Sequence, residues 1–306
     1  MPFRASFDCL WCGTPWTTRG PDDLEGYAQL CPDCVGRAGE NDFLRFRLKA
    51  AIEERARGTT SAAASGDPGA LVDADPDGLA AEMVAYYVAR AGEYDDWYLR
   101  RGRYAHGPVH DTAWNAELDV ATLWLDRLPL SGEIVELAAG TGWWSPLLAS
   151  KGELSIYDAA EAPLDRARER LVAHGLRAHI HVRDAWSEPD RLVDAVFAGF
   201  WLSHVPRDRL DSFLALVRRW LRPGGTFAFI DSRRDPSSGA IDQPDTDQAS
   251  LAAGIHRRRL ADGREFRVVK VAYEPDELEA ALLAAEFGAA EVITTARFFQ
   301  LGRATT

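Results

Sequence analysis

VELAAGTGWWS (residues 135–145) is an apolar run that reaches a carboxylate, Glu136, and then enters a loop of small residues before two tryptophans. Gly140 and Gly142 let a backbone approach a ligand closely, and a helix predicted over 143–150 points its N-terminus at the same place. Glycine loops of this kind serve several nucleotide-like cofactors, so the surrounding sequence has to choose between them. A dinucleotide site normally carries G-x-G-x-x-G to admit a pyrophosphate; here Trp143 and Trp144 follow Gly142. Close approach of a pyrophosphate is therefore disfavoured.

Working outward, EIVELAA, LSIYDA, HIHVRDA, LVDAVFAGF and TFAFIDS are short apolar runs, and they alternate with helical stretches expected at 143–150, 161–173 and 206–221. Strands alternating with crossover helices form a parallel sheet covered on both faces, an α/β doubly wound fold. Ligands of such sheets bind beyond the carboxyl ends of the strands. Those ends carry Glu136, Asp158, Asp184, Phe200 with Trp201, and Asp231. Asp158 lies eighteen residues beyond Gly140, placed to accept from a ribose diol, which suits either a dinucleotide or an adenosyl cofactor. In VRDAW, Asp184 is placed to accept from an exocyclic adenine amine, with Ala185 and Trp186 flanking the ring.

The ordered set E-x-A-x-G-T-G, Asp158, RDAW, FAGFWLSHV and LRPGGTFAFID resembles the class I S-adenosylmethionine-dependent methyltransferases over roughly residues 79–303. The resemblance implies a mostly parallel, seven-stranded, Rossmann-like sheet with S-adenosylmethionine (SAM) as cofactor. By that resemblance Glu136 helps orient the methionine portion, Ala138, Gly140 and Gly142 form the loop packed against it, and Asp158 and Asp184 hold ribose and adenine. Phe200 occupies the position whose backbone meets the methionine amine. Ala138 departs from the commoner glycine. Trp144 beside the loop is a candidate for facing the sulfonium, and Tyr94 and Tyr98 resemble positions from which relatives cover the cofactor. His204 in FWLSHVP is the candidate catalytic base, since imidazole titrates near neutral pH. The fourth-strand string AGFWLSHV resembles the branch that methylates small metabolites, so a small-molecule acceptor is expected. An RNA methyltransferase and a non-catalytic partner protein are the alternatives.

All four cysteines stand in the first 34 residues, Cys9 and Cys12 in CLWC and Cys31 and Cys34 in CPDC, with 18 residues between the pairs. Two such knuckles suit one tetrahedral zinc, and four thiolates close its shell, so a structural role is expected. Residues 1–57 are read as this zinc-binding module with a connecting helix, 58–78 as a flexible Gly/Ser/Ala/Asp/Pro linker, and 79–306 as the methyltransferase domain with a helical N-terminal cap. The module is a candidate for protein contacts or oligomerisation. An insertion at 233–273 contains a hairpin turning at Asp262-Gly263, with Arg233, Arg234 or Arg257 available to an anionic acceptor. PDELEAALLAAEFG is then a helix, and AEVITTARFFQLGRA the closing antiparallel strands.

Net charge is −12 over the 306 residues, and residues 1–57 hold 8 basic against 9 acidic side chains, which disfavours nucleic acid as a partner. No apolar run is long enough to span a bilayer, and the start lacks the pattern of a secretory signal. A cytoplasmic protein is the expectation.

Overall fold

Residues 6–8, 15–17 and 76–306 are described by a computed structural model. The chain divides into two units, residues 1–72 and 73–306. In the first, β1 (Ser6–Asp8) and β2 (Pro15–Thr17) pair antiparallel, Asp8 opposite Pro15. The four cysteines, the expected connecting helix before residue 58 and positions 58–75 of the expected linker lie outside the described residues.

The second unit opens with α1 (Pro76–Arg90), α2 (Tyr94–Tyr98) and α3 (Pro108–Arg127). Helix thus begins at Pro76, inside the stretch read as linker, because proline tolerates a helix's first turn, where its missing N–H is not needed. The predicted alternation then follows as β3 (Glu133–Leu137), α4 (Ser145–Ala149), β4 (Glu153–Asp158), α5 (Glu161–Ala173), β5 (His179–Val182) and β6 (Val193–Gly199). α6 (Leu210–Trp220) and β7 (Leu221–Ser232) complete it. Two helix boundaries differ from expectation. α4 starts at Ser145 rather than 143 because the loop runs on through the tryptophans and Pro146 occupies the first turn; α6 starts at Leu210 after a 3₁₀ turn at Arg207–Arg209.

The insertion supplies α7 (Gln248–Ala252), β8 (Ile255–Arg259) and β9 (Glu265–Val269), the last two forming their own antiparallel hairpin. α8 (Pro275–Ala284), β10 (Ala289–Thr294) and β11 (Phe299–Thr305) close the unit. The main sheet has seven strands in the order β10-β11-β7-β6-β3-β4-β5, and β11 runs antiparallel to both its neighbours. Strand order reverses at β3, with β4 on one side and β6 on the other, so the crevice beyond β3 lies at the switch point.

Alternate residues explain why both faces are covered. Val135, Val196, Ala198, Phe227 and Phe229 pack with Phe213, Val217 and Trp220 of α6 and Leu278 of α8. Their neighbours Ile134, Ala195, Phe197, Ala228 and Ile230 point the other way, to Leu118 and Leu125 of α3 and Leu164 of α5. A period of two on strands buried on both sides is what turns these runs into near-continuous apolar sequence. The insertion hairpin packs through Leu260 and Val268 onto Tyr86 of α1, with Phe266 and Met83 beside them. α1 and the hairpin therefore form one roof.

Candidate active site

Beyond the carboxyl ends of β3, β4 and β6 lies a cavity of about 260 Å3. The loop after β3 enters it in a backbone conformation that L-residues rarely adopt. Ala138 has φ +51° and Gly140 φ +55°. A Cβ on Gly140 would meet nothing within 4 Å, and the residue lines the cavity, so its bare backbone leaves that space to a ligand. Gly142 differs. Its φ is +70° and a Cβ there would lie 2.6 Å from the Cβ of Ala167 on α5, so this glycine is required by helix packing and is not in the cavity wall.

Asp158, at the end of β4, lines the cavity and holds the loop: its Oδ2 accepts from the Gly140 N–H at 2.9 Å and its Oδ1 from the Ala160 N–H at 2.9 Å. Burial raises its pKa, and those two N–H donors act against the rise. Asp184 lies on the same cavity, more exposed, with its Oδ1 accepting from Trp186 N at 2.7 Å. Ala185 and Trp186 complete that end. One face of the Trp186 ring is covered by the Arg209 guanidinium, 4.0 Å from the ring centroid. Phe200 follows β6 with φ +57°, and its N–H donates to Ile230 O, which leaves its carbonyl as the backbone group able to meet an amine.

Ala138, Gly140, Asp158, Asp184, Ala185, Trp186, Phe200 and His204 thus share one wall, and Glu136, Gly142, Trp144 and Tyr98 do not. Glu136 lies beneath the loop, 1% exposed, accepting from the Ser145 hydroxyl; burial pushes its pKa up to about 8 against the Ser145 hydrogen bond and Arg170. Trp144 packs against Gly199, where a Cβ would fall 2.7 Å from its ring. Tyr98 stacks on Trp143 with centroids 4.1 Å apart, while Tyr94 is the tyrosine of α2 that reaches the cavity. These aromatics serve the core because α2 presents Tyr94 and Tyr98 to different neighbours.

His204 reaches the cavity with both ring nitrogens engaged. Val269 O can only accept, so Nδ1 carries the proton; Nε2 then accepts from the Tyr87 hydroxyl at 2.8 Å. Burial, and then the positive charges of Lys270, Arg258 and Arg90, hold its pKa well below the usual imidazole value. With Nδ1 on Val269 O, the Nε2 lone pair is engaged by the Tyr87 hydroxyl, which His204 thereby orients.

Several wall residues were not singled out from sequence. Ala80, Met83, Val84, Tyr87 and Ala91 of α1 and its C-terminal flank line the cavity. Their helical spacing was legible; that the stripe covers a cavity was not. Thr141 also lines it and donates to Asp95 Oδ1 at 2.7 Å, and Asp95 pairs with Arg170, so α2 is tied to the loop and to α5. Of the three arginines offered for an anion, Arg233 and Arg234 line a separate cavity. The Arg233 side chain donates to the carbonyls of Thr295 and Ala296. Arg257 pairs with Glu265. Alternation along β8 turns Arg258, not Arg257, inward.

Lone pairs left on Asp158, the open space at Gly140 and the apolar remainder of the wall suit a nucleoside with a cationic sulfonium. Residues 134–225 match the family model described as "Methyltransferase domain". Similar solved structures include DhpI in complex with SAH and in a SAM-HEP complex, each 30% identical with a TM-score of 0.58, covering 74% of this chain and 97% of that one. The dimethylglycine N-methyltransferase of Parasynechococcus marenigrum (strain WH8102) is 31% identical over 172 residues, 51% of this chain and 60% of that protein. The demethylmenaquinone methyltransferase of Clavibacter sepedonicus is 37% identical over 114 residues, 35% of this chain and 44% of that protein. The chain thus spans about half the length of these last two relatives. It belongs to the class I SAM-dependent methyltransferases.

Proposed function

We propose that this chain transfers the methyl group of SAM to a small anionic molecule. The observation that carries the reading is the convergence of Gly140, Asp158 and Asp184 on one cavity at the switch point of the sheet. Asp158 accepts from the ribose diol, Asp184 from the adenine amine, and Ala185 and the open face of Trp186 flank the ring. The Phe200 carbonyl accepts from the methionine ammonium, Ala138 and Gly140 leave room for the cofactor's backbone-side atoms, and Glu136 with Ser145 supports the loop from below. Gly142, Trp144 and Tyr98 act by packing.

SAM brings a methyl group already activated by its sulfonium, which leaves as the neutral thioether while the acceptor's lone pair forms the new bond. The protein's task is alignment and exclusion of water. Tyr87 of α1 and Tyr94 of α2 close the cavity, and His204 fixes the Tyr87 hydroxyl. Calorimetry with S-adenosylhomocysteine tests the cofactor reading. Asp158→Asn keeps the side chain's shape and is expected to weaken binding at least ~tenfold, since an acceptor to a ligand hydroxyl and the charge are both lost. Undiminished binding in that variant, or no binding by the parent chain, would sink the assignment.

For the N-terminal unit, Cys9, Cys12, Cys31 and Cys34 are read as ligands of one structural zinc, in a module that offers a surface for protein contacts. In support, β1 and β2 bracket the first pair in sequence, as a knuckle in a hairpin requires. Elemental analysis of the full chain should give one zinc per molecule, lost in Cys9→Ser with Cys12→Ser.

A further inference from the structure

Behind the cofactor cavity lies a second chamber of about 70 Å3, several times the ~10–15 Å3 that admits one water. The two share Tyr87, Tyr94, Phe200 and His204 as their common wall. Its other walls hold Arg90, Arg258 and Lys270, and among the described residues no carboxylate lines it. Arg90 is 8% exposed. The rings of Tyr94, Tyr86 and Tyr104 stand 4.5, 5.6 and 5.4 Å from its guanidinium carbon, and its Nε–H has no hydrogen-bond partner. Aromatic faces satisfy a guanidinium from above and below, but its in-plane donors need an acceptor.

Arg258 makes no ion pair among the described residues; the groups acting on it are tyrosines and Arg90. Lys270 donates to the Ser203 hydroxyl at 2.6 Å and stands 3.9 Å from Asp231, whose oxygens already accept from Ser203 N and Ser232 N. Three cations therefore converge with one partly committed carboxylate to offset them. Cations gathered out of water in this way are costly unless an anion joins them.

We infer that this chamber holds the acceptor's anionic head, a compact oxyanion such as a carboxylate or a phosphoryl group, clasped by Arg90, Arg258 and Lys270. The head is thereby set behind the shared wall, with the rest of the acceptor directed at the cofactor cavity. The inference rests on the methyltransferase reading and deepens it. Access is from the insertion side: an open cavity of about 240 Å3, lined by Arg234 and His256, shares Ser238, Gly239, Arg258 and Lys270 with the chamber. Cofactor and acceptor then enter by different mouths.

Calorimetry and thermal shift on the full chain test this, with inorganic phosphate and acetate at millimolar concentration as probes and acetamide as the neutral control. S-adenosylhomocysteine binding is measured in parallel, so that failure of the cofactor reading is recognised separately. One or both anions should bind and acetamide should not; which anion binds more tightly tells a phosphoryl head from a carboxylate. Arg258→Gln should cut that affinity at least ~tenfold while S-adenosylhomocysteine binding is retained, because Arg258 does not line the cofactor cavity. Gly239→Leu is the second variant: its φ is ordinary and the added side chain meets open space, so it narrows the passage without strain. Because Gly239 lines the chamber and not the cofactor cavity, the leucine should also intrude on the anion's place, lower anion affinity and leave the cofactor untouched. Retained S-adenosylhomocysteine binding with no anion binding would overturn the inference, as would anion affinity unchanged in both variants.

Discussion

Ala138 and Gly142 differ in why they need their backbone conformation. Ala138 sits at φ +51°, where a Cβ costs roughly 1–2 kcal/mol, and Ala138→Gly removes that cost while adding unfolded-state entropy. The two nearly cancel, so denaturant unfolding should show a change within about 1 kcal/mol. Gly142→Ala, by contrast, combines φ +70° with a contact of 2.6 Å to Ala167. A loss of about 2–4 kcal/mol in the same measurement is expected; a neutral result would mean that α5 yields. From sequence both positions read as one loop. The distinction between a glycine that leaves room for a ligand and one that leaves room for a helix needed the position of Ala167, a residue 25 places away.

At the scale of elements, α1 and the β8–β9 hairpin act as a unit because Tyr86, Leu260 and Val268 form a small core of their own. Cofactor contacts on α1 should therefore quieten both. Hydrogen exchange with and without S-adenosylhomocysteine should show added protection in residues 80–91 and, through the shared core, in 265–269. Protection confined to 138–142 would show that α1 is not part of the cofactor's cover. Tyr87→Phe probes the same element: it frees His204 Nε2 and should raise the imidazole's availability to protons, seen as an altered pH dependence of turnover with little change in stability. The helical periodicity of α1 was readable, as was the hairpin's Asp262-Gly263 turn. Their mutual packing was not, since nothing in the chain between positions 91 and 254 announces that these two pieces meet.

The whole molecule carries −12, yet buries cations around one chamber and a carboxylate beneath one loop. This should shape stability against pH in the cofactor-free protein. Glu136 has its folded pKa raised from 4.5 to about 8, so the folded state holds the proton more tightly and stability falls as pH rises through that interval. His256, lowered from 6.5 to about 4, and His204, also lowered, act oppositely and add stability up to about pH 6.5. Lys270, lowered from 10.5 to about 8, makes stability rise between those values. Above pH 10 the raised tyrosines Tyr87, Tyr94 and Tyr98 reverse it again. A shallow minimum near pH 8 in the melting temperature is the expected outcome, and Glu136→Gln should remove its falling limb between about 6.5 and 8.

No helix among the described residues is long and apolar enough to cross a membrane. What the amino-acid sequence determined by itself was the alternation of strands and helices, the glycine loop, and the carboxylates at strand ends, because periodicity and strand-terminal chemistry are local properties written in neighbouring residues. What only the tertiary structure decided was which groups face the same space. Asp158 and Asp184 meet through the parallel order of β3, β4 and β5, whereas Arg90, Arg258 and Lys270 meet through the packing of an insertion on a cap helix. That convergence spans about 180 residues of chain and depends on burial, which no local pattern encodes.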